Sequence, residues 1–307
     1  MIGKEILLII NPEASKGKGR KKAQIVCNCL EKENISYTIA YTNGKGHAEK
    51  LAKNGANNGF KTIVAVGGDG TVNEVINGIM RSDNRSKVKM GIIPIGRGND
   101  FAWVCGITSN IKKSVNRVIK GEAKPTDVGF CYGPDKPSGM YFLNGAGFGF
   151  EPMVNFKAME YKHLNGMPSY VAAFLYILKN ITDGSKVKLK FDGNEKDLST
   201  QQISVASGIR MGSTFKMTPL AKIDDGKLDL MFTNRVYRGL ALLSLVFSFL
   251  RGAQVKDKKN FSYYQVKEVE IESEKADLPV HLDGEVYSKK AKRVTVKVIP
   301  GAIKLLR

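Results

Sequence analysis

From Thr62 to Met80 the chain reads TIVAVGGDGTVNEVINGIM, where an apolar run gives way to a glycine turn holding one carboxylate and then to a helical pattern. Ile63 to Val66 predict a buried strand, and Val72, Val75, Ile76 and Ile79 recur at the spacing of one helix face. Thr71, followed three residues later by Glu74, fits a capping box for that helix. A strand, a turn of Gly67, Gly68, Asp69 and Gly70, and a helix amino end together present free backbone N–H groups, the local geometry that receives a phosphate. Asp69 would repel a bare phosphate, so two readings stand: it helps hold a hydrated Mg²⁺ that accompanies a nucleotide, or it only stabilises a tight turn. The pattern GxxxxGK[ST] is absent and GGDGTVN lacks the third glycine of GxGxxG, so neither common nucleotide signature fits.

The elements that must position this turn alternate over the first 120 or so residues: EILLII, KAQIVCNCLEKE, SYTIAYT, HAEKLAKNGA, TIVAV, VNEVINGIM, KMGIIPI and IKKSVNRVIKG. Alternation of strand and helix patterns predicts a parallel sheet with helices packed on it. After TDVGFCY the chain becomes strand-rich, with DG turn signals at Asp192, Asp225 and Asp283, which predicts a mainly antiparallel β-sandwich. The fold class expected is thus α/β followed by a β-sandwich, with a cleft between two domains. Residues 1–128 form the first, 129–289 the second, and 290–307 return to the first. SYVAAFLYILKNI and RGLALLSLVFSFLRG read as core helices or lipid-contacting ones, the longest apolar run being too short to span a bilayer of roughly 20 residues' depth.

The chain has 307 residues, and 48 basic against 29 acidic side chains leave a net charge of +19, which calls for an anionic partner without choosing among membranes, nucleic acid and phosphorylated molecules. Cys27, Cys29, Cys105 and Cys131 show no metal spacing and read as reduced thiols, and the amino-terminal run reads as a strand rather than a signal peptide. The expectation is a cytoplasmic protein. Only three histidines, at 47, 163 and 281, argue against zinc. No RNP-like motif, helix-turn-helix signature or zinc finger is evident, so nucleic acid is not expected.

The residues resemble the diacylglycerol kinase catalytic family, the soluble bacterial lipid kinases related to sphingosine and ceramide kinases. INPEASKGKG, GGDGTVNEV, IPIGRGNDFA, TDVG, FLNGAGFGFE, IDDGKLDL and HLDGE occur in the family's order and spacing. GGDGT alone would indicate only a broader superfamily that includes NAD kinases and 6-phosphofructokinases. The resemblance implies ATP and Mg²⁺ as cofactors. It implies a nucleotide site of Asn11, Glu13, Ala14, Ser15, Thr42, Gly67, Gly68, Gly70, Thr71, Asn73, Glu74, Arg97 and Asn99, with Lys16, Lys18 and Arg20 adding nearby charge. It groups Asp69, Asp100 and Asp127 around a catalytic Mg²⁺, largely through water. It also implies a second Mg²⁺ site, with the Asp225 side chain and the carbonyls of Lys222 and Lys227, where an ordinary DG hairpin turn is the alternative.

Glu285 in HLDGE becomes the candidate general base, with Asp283 as the fallback, since phosphoryl transfer to a hydroxyl needs a proton acceptor. Arg97 departs from the family's usual Thr or Ser, and either clamps the phosphates or obstructs the pocket. The function implied is transfer of the γ-phosphate of ATP to diacylglycerol at an anionic membrane surface, giving phosphatidic acid, by a protein peripheral to the membrane. Sphingoid base, ceramide and phosphatidylglycerol are competing acceptors, and a catalytically weak basic protein binding membranes or nucleic acid is the competing class. A homodimer is left open.

Overall fold

The computed structural model describes residues 6–161, 163–164, 167–180 and 184–307. Residues 1–5, the start of the expected first strand, and Ile181, the end of an expected helix, lie outside them.

The first half runs β1 (Ile6–Ile10), α1 (Ala14–Gly17), α2 (Gly19–Lys32), β2 (Tyr37–Tyr41), α3 (His47–Asn57), β3 (Thr62–Gly67) and α4 (Asp69–Met80). It continues with β4 (Lys89–Pro94), α5 (Asp100–Val104), α6 (Ile111–Lys120), β5 (Ala123–Gly133), β6 (Lys136–Phe142) and β7 (Gly145–Gly149). The second half contains α7 (Phe150–Glu160), α8 (Met167–Asn180), β8 (Ser185–Phe191), β9 (Asn194–Thr200), β10 (Gln202–Ala206), β11 (Leu228–Thr233) and α9 (Ala241–Arg251). It closes with β12 (Phe261–Val266), β13 (Glu268–Ser273), β14 (Leu278–Leu282), β15 (Glu285–Ala291) and β16 (Arg293–Leu306).

Strands β1, β3 and β4 are almost wholly apolar because both of their faces are covered, and with β2 they form a parallel sheet ordered β2-β1-β3-β4. One face packs on α3 and α4 through Leu7, Ile9, Ile63 and Ile76, and the other on α2 and α6 through Leu8, Val26, Val64 and Val118. The chain is therefore an α/β domain followed by an antiparallel β-sandwich. The boundary is no break in the sheet, however. The end of β16 pairs parallel with β4 on one side and antiparallel with β5 on the other, while its earlier part pairs antiparallel with β5 and β13, so one ten-stranded sheet runs through both halves.

The second sheet, β12-β11-β10-β7-β14-β15, is antiparallel throughout and packs on the first through Phe142, Phe148, Leu230, Ile271 and Val296. Its other face carries α7, α8 and α9 over Ala206, Met231 and Phe261. SYYQVKEVEIES, which reads as one continuous run, divides at Lys267: β12 belongs to the second sheet and β13 to the first, so the chain turns a sandwich corner there. Two DG pairs form hairpin turns in left-handed backbone, Asp192–Gly193 between β8 and β9 and Asp283–Gly284 between β14 and β15. Asp225–Gly226 joins no hairpin, because it lies in the long connection from β10 to β11. Among the described residues no helix is long and apolar enough to cross a membrane.

Candidate active site

The carboxyl ends of the four parallel strands lie side by side, and the connections leaving them converge, as open α/β sheets require of a ligand site. Asn11 N–H donates to Val66 O (3.0 Å) and Thr42 N–H to Ile10 O (2.8 Å), which draws the loops after β1 and β2 against the strand ends. In the first loop Asn11 Nδ2 donates to Thr71 Oγ1 (3.3 Å), and Glu13 N–H donates to Asn11 Oδ1 (3.0 Å). Ala14 is buried, and Ser15 donates to Ile95 O while receiving Lys22 Nζ (2.7 Å). Glu13 and Lys16 remain exposed on the outer side.

The glycine turn is built by close approach. A Cβ at Gly67 would collide with the Thr71 side chain, and one at Gly68 would meet Gly96 Cα at 3.2 Å, so the turns after β3 and β4 touch backbone to backbone. Helix α4 begins at Asp69, with Gly68 as its cap and, among the described residues, no side chain bonded to the orphan amide groups. Those free N–H groups at a helix amino end make the local anion site expected from the sequence.

The capping box is not formed. Thr71 is buried inside the first turn, and Glu74 instead accepts Gly46 N–H (2.7 Å) and Ala48 N–H (3.0 Å), so it caps α3. Asn73 also points away from the nucleotide side: it is 1% exposed, and its Nδ2 donates to Asp283 Oδ2 (3.0 Å) and Tyr141 O (3.2 Å). Both residues were expected at the nucleotide. Their direction follows from the helix, which turns positions 73 and 74 away from its amino end toward the sandwich and α3.

Asp69 serves the neighbouring loop with both oxygens, accepting Asn99 N–H and Asp100 N–H at 2.7 Å each. Asn99 in turn folds its loop by exchanging bonds with Gly96, and occupies left-handed backbone. Arg97, at the tip of this loop, is exposed and has no side-chain partner among the described residues.

Burial, then the facing Asp100 carboxylate, push the Asp69 pKa up from 3.8 to about 6 against the two backbone bonds. Burial raises Asp100 as well, opposed by Ser213 N–H and Arg210. Two carboxylates held together beside a phosphate turn suit a hydrated divalent cation, which would relieve their repulsion. Asp127 does not join them. It is 2% exposed, and its oxygens accept Gly226 N–H (2.7 Å) and Gly301 N–H (2.8 Å), fastening the loop before β11 to β16. Among the described residues, no three His, Cys, Asp or Glu side chains group closely enough to hold an ion by themselves.

At the expected second ion site Asp225 accepts Lys227 N–H (3.1 Å) and Gln265 Nε2 (3.3 Å), while Lys222 and Lys227 are exposed. Nearby Asp229 is fully buried on β11, and burial raises its pKa to about 6.

The HLDGE segment delivers the two remaining acids to opposite tasks. Asp283 accepts Asn144 and Gly145 N–H on one oxygen and Leu143 N–H and Asn73 Nδ2 on the other, at 2.9 to 3.0 Å. With all of its acceptor directions used, Asp283 is unavailable as the fallback base. Glu285, two residues on, reaches across to the α/β domain: Lys45 Nζ lies 2.6 Å from Oε2, and a methyl group at Gly70 would lie 3.0 Å from Oε1. One carboxylate oxygen therefore stands over the phosphate turn. The turn carrying it is held on both sides of Gly284, whose N–H donates to His281 Nδ1 (3.1 Å) and whose carbonyl accepts Asn155 Nδ2 (2.7 Å). His281 is buried, with Nε2 3.0 Å from Glu151 Oε1. Lys45, Arg210 and Asn155 are contributions that no local pattern in the sequence marks, and His281 lies inside the HLDGE motif without a role being assigned to it there.

A helix-end anion site, an adjoining acidic pair and a carboxylate poised over the turn are the parts of a nucleotide-dependent phosphotransferase. The comparisons agree. Residues 5–131 match the diacylglycerol kinase catalytic domain, and residues 145–307 match the YegS C-terminal NAD kinase beta sandwich-like domain. The chain is 30% identical over 286 residues to a diacylglycerol kinase of Bacillus subtilis (strain 168), covering 92% of this chain and 90% of that one. It is 29% identical over 294 residues to a diacylglycerol kinase of Staphylococcus aureus (strain MRSA252), covering 93% and 87%. The fold is shared with a diacylglycerol kinase from Bacillus anthracis str. Sterne (TM-score 0.75, 22% identity, covering 100% and 97%). It is shared less closely with an NAD kinase from Archaeoglobus fulgidus in complex with ATP (TM-score 0.54, 15% identity, covering 99% and 93%). The chain belongs to the diacylglycerol kinase catalytic family and is a kinase.

Proposed function

We propose that this kinase transfers the γ-phosphate of ATP to the free hydroxyl of diacylglycerol, giving phosphatidic acid and ADP. The observation that carries the reading is the Glu285 oxygen standing over the Gly70 turn, at the amino end of α4. Glu285 takes the hydroxyl proton as the lipid oxygen attacks the γ-phosphorus, and the bond from that phosphorus to the departing ADP breaks. Amide groups of the Gly68 to Thr71 turn offset charge on the transferring group. Asn11, Ala14, Ser15 and Thr42 line the nucleotide's path along the strand ends, and exposed Arg97 clamps its phosphates. Asp69 and Asp100 would hold a hydrated Mg²⁺, which would neutralise phosphate charge; Asp127 supports the fold instead. Asp225, with the carbonyls of Lys222 and Lys227, is retained as a second, structural ion site.

A net charge of +19 supports docking at anionic lipid, each basic residue near the surface contributing on the order of 1 kcal/mol. Exposed Val171, Leu175 and Tyr176 on α8 support the same placement at the membrane from the cytoplasmic side. Radiolabelled ATP with diacylglycerol in mixed micelles tests the chemistry: label should enter the lipid, and Glu285→Gln should lose about 10²- to 10⁴-fold in kcat. Full activity in that variant, or no transfer by the wild type, would sink the reading.

A second reading has one observation in its favour. A cavity of about 460 Å³ opens beside Glu285, and Lys45, Arg81, Lys136, Glu49 and Glu74 line it with charge. A lipid with a large polar headgroup, such as phosphatidylglycerol, would use that space better than diacylglycerol, and a panel of hydroxyl lipids separates the two.

A further inference from the structure

The connection from β10 to β11 sends a short, stiff finger from the sandwich into the α/β domain. Met211 and Phe215 exchange backbone bonds (2.9 and 3.1 Å), closing a turn in which Gly212 and Ser213 take left-handed backbone. Asn144 Nδ2 pins the Arg210 carbonyl at 2.6 Å, and Ser213 N–H reaches both oxygens of Asp100 (2.9 and 3.0 Å). The finger's backbone is thus fixed on Asp100 before any ligand arrives.

Its side chain is not fixed in the same way. Arg210 meets Asp100 through Nε alone (3.0 Å), rather than by the two-pronged contact that a guanidinium makes with a carboxylate it is built to keep. Among the described residues the two terminal nitrogens have no protein partner, although the side chain is only 14% exposed. The guanidinium lies over the ring of Trp103, 4.2 Å from its centre, and Asp100 keeps the Ser213 N–H if the arginine leaves. A half-buried cation with two uncommitted donors, beside a phosphate turn, is a partner in waiting for an anion.

We propose that Arg210 is a phosphate-contacting residue delivered from the sandwich domain: parked on Asp100 and Trp103 here, it swings its free fork onto the transferring phosphate when the metal nucleotide enters. This rests on the kinase reading of the site and is independent of which lipid accepts the phosphate. Trp103 is the chain's single tryptophan, so its emission reports directly on the guanidinium above it.

The full chain is titrated with Mg²⁺ and a non-hydrolysable ATP analogue while Trp103 emission and calorimetric heat are followed together. Emission of the wild type should change and saturate with the binding heat, and Arg210→Ala should bind the analogue with no such change. In turnover Arg210→Ala should lose about 100-fold or more in kcat with the KM for ATP changed by less than about tenfold. Arg210→Lys keeps the charge without the fork and guards against a folding defect; it should still lose more than about tenfold.

Unchanged wild-type emission at calorimetric saturation, or kcat within about threefold of wild type in both variants, overturns the proposal. Glu285→Gln separates it from the base assignment, because that variant should keep the wild-type emission response whatever becomes of transfer. A wild type that binds no nucleotide refutes both readings.

Discussion

Replacing Asp69 with Asn removes a charge that the folded state holds at a cost. The carboxyl group titrates at about 6 in the fold against an ordinary 3.8, with burial as the main cause and Asp100 as the next. Because the folded value is the higher one, the group's contribution to stability is fully present below about pH 3.8 and is lost as pH rises through about 6. The loss amounts to about 3 kcal/mol, taking about 1.36 kcal/mol for each pH unit between 3.8 and about 6. Asn also carries a cost of its own: it can accept only one of the two N–H groups from Asn99 and Asp100, worth about 1 to 3 kcal/mol at any pH.

The difference in unfolding free energy, variant minus wild type, should therefore rise by about 2 to 3 kcal/mol from about pH 4 to about pH 8, whatever its offset. Urea unfolding followed by circular dichroism, in chelator, measures it. Adding Mg²⁺ should flatten the wild-type loss and leave the variant unmoved. A difference that stays level within about 1 kcal/mol, or falls with rising pH, would refute the account of how Asp69 is held.

The other acids give separable outcomes. Asp127→Ala leaves the Gly226 and Gly301 N–H groups without their acceptor and should cost about 1 to 3 kcal/mol by urea unfolding, while the stabilisation conferred by Mg²⁺ remains that of the wild type. Glu74→Ala removes the two acceptors at the start of α3 and should cost about 1 to 2 kcal/mol in thermal unfolding, with nucleotide affinity by calorimetry within about twofold of wild type.

Local pattern made legible the parts of the fold that depend on local causes. Strands β1, β3 and β4 are apolar on both faces because both faces are covered, so their runs are unmistakable in the chain. The glycine turn was legible because close backbone approach demands that residue type in any setting. Residue type alone could not assign Asn73, Glu74 and Asp127, since each carries a polar group whose partner lies far away in sequence: Asp283, Gly46 and Gly301 respectively. A carboxylate in a kinase motif reads as a ligand until the amide that it accepts is known. Arg210 was silent for a related reason, because SGIRMGS carries no periodicity, and its meaning comes only from the Asp100 and Trp103 it meets across the cleft.

Strand β16 has a mechanical consequence. It belongs to the walls of both halves, and its register shifts between Ile299 and Ile303, where Pro300 and left-handed Gly301 crease it and Asp127 fastens the crease. The halves are thus joined by a leaf spring rather than a hinge: any closing of the sandwich over the nucleotide must flex hydrogen-bonded strand. An amino-terminal fragment ending between the two matched segments would lack β16, leaving β4 paired with β3 alone and one edge of the sheet uncovered.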